Sequence, residues 1–146
     1  MSKLVQALLS GIFFTYFIDF FLFLGIKIHY IDFYEIDLYY NILFADNQNI
    51  FIYLFFTTLI GYLVIYLNAT TIKVTLVGLL LTLSFSTMIQ PIGHSLGVLL
   101  FMNKNITFKT KKHSFNGDIY YNGRQKITFF DYDLNKIITL DKKELR

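Results

Sequence analysis

The sequence predicts a membrane all-α protein with three transmembrane helices, the third long and kinked or re-entrant near Pro91, followed by a small C-terminal antiparallel β-meander. Three observations lead there. Charged residues make up only 16% of the chain against 55% hydrophobic, where ordinary globular proteins carry about 25% charged residues. The charges are also segregated: Asp19 is the only one between Leu4 and Ile26, and none lies in Ile50–Leu67 or Val74–Met102. Beyond Met102, where ten of the 13 basic residues lie, long apolar runs give way to short alternating segments.

A core of 146 residues is too small to hide this much apolar surface from water, so lipid is the natural solvent for residues 1–102. Residues 103–146 form a second unit, a watery, lysine-rich tail. The absence of cysteine excludes disulfides, thiolate metal sites and cysteine nucleophiles.

The first run, Ala7–Ile26, has twenty residues, enough at 1.5 Å per residue to cross a hydrocarbon core of about 30 Å. A cleaved leader has a shorter apolar region ending in small residues. Here Lys27, His29 and Tyr30 follow, which favours a retained helix. Between the first two runs, Asp32, Glu35, Asp37 and Asp46 are mixed with Tyr30, Tyr34, Tyr39 and Tyr40, as in an interfacial helix or an irregular loop. The second span is Ile50–Leu67. The third run, Val74–Met102, is too long for one perpendicular crossing. Pro91, followed by Gly93, predicts a break near Gln90. The chain then either bends along the interface or returns as a re-entrant hairpin.

In the tail, Ile106, Phe108 and Thr110 share one face of a candidate strand. Further strands are expected at 118–121, 126–131 and 136–140, separated by turns at Asn116-Gly117, Asn122-Gly123 and Asp133-Leu134-Asn135. So small a sheet is expected to lean on the membrane, a partner or another copy. Lysines concentrate on cytoplasmic flanks. Lys104, Lys109, Lys111 and Lys112 directly follow the last apolar run, so the tail is expected in the cytoplasm of a cell (inner) membrane protein, with these side chains at the lipid surface.

Asp19 is the candidate functional residue, because an ionised carboxylate near the bilayer centre costs about 2.5–3.5 kcal/mol and must be shielded, paired or protonated. Gly11, Thr15 and Asp19 recur every four residues and share a helix face. Gly78, Thr82, Ser86, Gln90, Gly93 and Gly97 make a matching small and polar stripe on the third run. Equal depth brings Ser86, Thr57 and Thr58 toward the level of Asp19. The stripes fit helix packing; Asp19 with Thr15, Ser86 and Gln90 also fits a proton or cation site.

His29 and His94 match no metal-ligand spacing. Asp131, Asp133 and Asn135 imitate a calcium loop, but Lys136 and Lys142 replace its Gly and Glu. Gly93-His94-Ser95-Leu96-Gly97 lacks the strand that precedes a nucleophile elbow. The expectation is therefore a non-enzymatic accessory or structural subunit of a membrane assembly. It would be embedded in the lipid bilayer with other subunits or as a homo-oligomer, without cofactor, metal or nucleic acid. The alternative is a proton- or cation-handling protein that uses Asp19.

Overall fold

The computed structural model describes residues 2–109 and 114–144. Five α-helices precede a four-stranded sheet: α1 Lys3–Ile26, α2 Tyr40–Asn47, α3 Ile50–Tyr66, α4 Thr70–Ser86 and α5 Gln90–Phe101. The strands are β1 Asn103–Lys109, β2 Ser114–Asn122, β3 Lys126–Asp131 and β4 Lys136–Asp141. A π-helical turn, Lys27–Ile31, prolongs α1, and a 3-10 turn, Lys142–Glu144, follows β4.

Local sequence explains the helix ends. The Ser2 hydroxyl accepts from the Val5 N–H at 3.4 Å to start α1. Asn49 caps α3 by accepting from the Phe51 and Ile52 N–H groups at 2.9 and 3.3 Å. Pro91 lies in the first turn of α5, where its missing donor has no helical partner to lose. The break foreseen near Gln90 falls just before it, over Thr87–Ile89, and α4 and α5 meet there at 88°. A second elbow of 85° separates α2 from α3. Among the described helices, Lys3–Ile31 is by itself long and apolar enough to cross a membrane; the count reaches three if each bent pair is one span.

Helix α1 is the axis of the bundle. It packs against every other helix, whereas α3 and α4 barely touch each other. On one face, a Cβ on Gly11 would overlap the Thr57 carbonyl oxygen, and one on Gly61 would overlap that of Ala7. The α1 and α3 backbones are therefore in direct contact, the close approach that small residues permit in lipid. On another face, Ser84 donates to the Ile18 carbonyl and Thr87 to that of Phe21, the latter at 3.0 Å. The Phe21 and Phe85 rings lie 3.9 Å apart between these bonds. Helix α5 crosses the far end of α1, where Gly25 and Gly93 both meet Thr87, and Gly97 lies under the Tyr30 ring.

The sheet is an antiparallel meander in the order β1-β2-β3-β4. Strand β3 has the bounds the sequence predicts, and the Asn122-Gly123 and Asp133–Asn135 turns join β2 to β3 and β3 to β4. Asn116-Gly117 departs from its expected turn: both residues lie inside β2, where Gly117 pairs with Asp131. A Cβ there would overlap the Phe130 carbonyl, so glycine serves close strand approach and not chain reversal. The expected position of Thr110 on β1 lies outside the described residues.

The sheet leans on the chain's own helices. Tyr30, fully buried, donates to the Tyr120 carbonyl at 2.7 Å. The Tyr121 hydroxyl accepts from Asn47 at 3.1 Å, while Arg124 pairs with Asp46 at 2.9 Å. Tyr121 joins Phe23, Ile26, Tyr30, Ile31, Ile36 and Leu43 in one core.

Two substitutions measure these contacts. Gly11→Leu should destabilise the bundle by about 3 kcal/mol or more, because neither backbone can withdraw from the crossing. Gly78→Ala should be neutral or stabilising by up to about 1 kcal/mol, because open space surrounds Gly78. Thermal unfolding in detergent separates the two; equal effects would contradict the α1–α3 contact.

Candidate functional site

The row Gly11, Thr15, Asp19 does lie along one side of α1, but that side meets α3 and the α2–α3 elbow. Gly11 touches Thr57, and Thr15 is buried one turn further on. Asp19 is half-buried, and its Oδ2 accepts from Gln48 Nε2 at 3.0 Å. Gln48 immediately precedes the Asn49 cap of α3, so the carboxylate sits beside the start of that helix.

Phenols surround it. Tyr40 and Tyr53 are both within electrostatic reach of Asp19 and of Tyr16. Each also tethers a helix to α1: Tyr40 donates to the Phe20 carbonyl at 3.1 Å and Tyr53 to that of Ile12 at 3.3 Å. Toward the glycine crossing, the buried Thr57 hydroxyl lies against Tyr53, and the Thr15 hydroxyl is buried without a hydrogen-bond partner among the described residues. Buried hydroxyls normally find one, so Thr15 stands out chemically. Together the Asp19 carboxylate, the Gln48 amide and the Tyr40 and Tyr53 phenols form a small polar patch, the chemistry that can hold a proton.

The stripe expected opposite Asp19 is placed elsewhere. Ser86 turns back to the Leu83 carbonyl at 2.7 Å and Thr82 to that of Gly78 at 2.8 Å, both within α4. Gln90 is exposed at the start of α5. Ser84 and Thr87 make the α4 contacts with α1 instead. Ser84, not the expected Ser86, bonds to α1, at Ile18, whereas Thr57 is level with Gly11, two helical turns from Asp19. Gln48 and Tyr53 are the partners sequence reasoning missed. No period signals a side chain reaching back from an elbow.

The remaining candidates are dispersed. Lys104 is exposed on β1 and Lys109 ends that strand, while Lys111 and Lys112 lie outside the described residues. His29 Nε2 lies 2.8 Å from the Met88 carbonyl oxygen. His94 packs among Tyr30, Phe33 and Tyr34, its Nε2 buried with no hydrogen-bond partner among the described residues. No group of three or more metal-ligating side chains occurs among the described residues. Asp131, 1% exposed, accepts from the Asp133 and Leu134 N–H groups and closes the β3–β4 turn.

At the helix–sheet junction, burial pushes the Tyr34, Tyr120 and Tyr121 phenols above their ordinary value; nearby Asp118 adds to this for Tyr34 and Tyr120. The folded state therefore keeps protons that the unfolded chain has lost above about pH 10. Junction stability should be flat below that pH and fall above it. Phenolate absorbance and protease cleavage near Met102, followed together from pH 8 to 12, should rise in step; cleavage at an unchanged rate would refute the coupling.

No family model, curated protein or solved structure matches this chain.

Proposed function

We propose that this protein is a non-enzymatic structural or accessory subunit of a membrane assembly, anchored by three spans with its β-sheet in the cytoplasm of a cell (inner) membrane. One observation carries the reading: α1 is the shared support for α3 and α4, whose many outward apolar side chains are exposed among the described residues. Phe51 and Leu99 are 80% and 79% exposed, an arrangement suited to lipid and to neighbouring subunits or copies.

The three-span arrangement takes α1, α2–α3 and α4–α5 as one crossing each, with α2 and α5 turned along the membrane surface by their elbows. Ser2 and Asn68 then share the outer end with Lys3 and Lys73. The sheet and most basic residues take the other end, which agrees with positive-inside counting. The reading calls for no cofactor and no nucleic acid.

Site-specific photocrosslinkers at Phe51 and Leu99 in native membranes should capture a neighbouring subunit or a second copy. Adducts with lipid alone, together with a monodisperse monomer in mild detergent, would count against an assembly role.

The half-buried Asp19 carboxylate, held by the Gln48 amide with Tyr40 and Tyr53 in electrostatic reach, favours a second reading, a proton- or cation-handling protein in which several copies enclose the path. In reconstituted vesicles, Asp19→Asn should then reduce proton or cation flux by about tenfold or more, with the fold intact. Flux that is unchanged removes this reading and leaves Asp19–Gln48 as a packing contact.

A further inference from the structure

We infer that the cleft between α2 and the sheet binds the headgroup of a phospholipid that carries both a phosphodiester and a primary amine. This inference rests on the membrane reading above.

The cleft has a volume of about 590 Å³ and lies between the Ile36–Asp46 segment and the β2–β3 hairpin, reaching Thr139 of β4. That volume suits a headgroup and its glycerol. Its helix-side wall is apolar at Leu38 and Ile42. Its charges are balanced, with Asp37 and Asp46 on the helical side and Arg124 and Lys126 on the sheet. A ligand of one sign would leave one pair facing like charge; a zwitterion satisfies both.

The internal pairing leaves the right groups free. Asp46, with its side chain 12% exposed, is held by Arg124 Nε at 2.9 Å, and another Arg124 nitrogen donates to the Ala45 carbonyl at 3.0 Å. The Arg124 side chain is still 71% exposed, so its guanidinium edge remains open to a phosphate. Asp37 and Lys126 are exposed and have no ion-pair partner among the described residues. The arrangement offers Lys126 and Arg124 to the phosphodiester and Asp37 to the amine, with Leu38 and Ile42 against the glycerol and upper acyl chain.

Location favours a bilayer lipid over a soluble metabolite. Helix α2 is turned 85° from α3, so when α3 crosses the membrane α2 lies along its surface. Its Ile42 side chain, 43% exposed, lines the cleft and offers it an apolar surface at that level.

The full chain in mixed micelles with equimolar phosphatidylethanolamine, phosphatidylcholine and phosphatidylglycerol provides the test, read by native mass spectrometry. Phosphatidylethanolamine should be retained about tenfold over the other two, because the choline headgroup cannot donate a hydrogen bond to Asp37 and the glycerol headgroup carries no cation. Asp37→Asn should abolish the preference, while Lys126→Gln should weaken all three lipids alike; both side chains are exposed and unpaired, so the fold is retained. Equal retention, a preference for phosphatidylglycerol, or a preference that survives Asp37→Asn would overturn the inference. Displacement by glycerophosphoethanolamine at the concentration of the lipid would also overturn it, in favour of a soluble ligand. Release of the chain from membranes by alkaline carbonate would defeat the membrane reading itself. Retention in membranes without lipid selectivity would defeat only the headgroup site.

Discussion

Direct backbone contact along α1 is the constraint on which the rest of this structure depends. At Gly11 and Gly61, and again at Gly25 and Gly93, no atom separates one main chain from the next that a side chain could replace. In the proposed lipid setting there is little hydrophobic force between helices, and such contacts with the hydrogen bonds beside them would then hold the bundle. The bonds from Ser84, Thr87, Tyr40 and Tyr53 all end on α1 carbonyls, which places the cohesion of the helical body on a single helix.

Length explains the remainder of the architecture. Helices α3 and α4 have 17 residues each, about 25 Å, whereas α1 with its π-helical turn has 29, about 40 Å. The axis therefore outruns the two helices beside it, and its surplus, from about Phe20 onward, remains apolar through Ile26. Covering that surplus is the work of α2, α5 and β2, which explains why both elbows turn nearly at right angles and why the sheet's tyrosines meet Tyr30. Asp19 lies where the three-helix part gives way to this cap, a position where an amide from the elbow can reach it.

Much of this plan was legible in the sequence. Uncharged runs and the break before Pro91 located α1, α3 and the α4–α5 pair, and the switch to alternation at Met102 located the sheet, because burial periods are written directly into residue order. Asn116-Gly117 misled because the same dipeptide serves a tight turn or a close strand crossing, and only the Phe130 backbone opposite decides which. The stripe from Gly78 to Gly97 misled in part for a related reason. Periodicity names a helix face but not its neighbour, and the 88° elbow rotates Gly93 and Gly97 onto α1 while leaving Gly78 in open space. The cap of the carboxylate by Gln48 was out of reach, since it depends on how the elbow folds back.

The central claim is that α1, α3 and α4 run side by side between two aqueous faces, with Ser2 and Asn68 at one end and the sheet at the other. The chain has no cysteine, so single cysteines at Ser2, Asn68, Asn47 and Asn122 report their side of the membrane without background. The account predicts that an impermeant maleimide applied to intact cells labels the first two, and the last two only after permeabilisation. Labelling of Asn68 and Asn122 from the same side would contradict it.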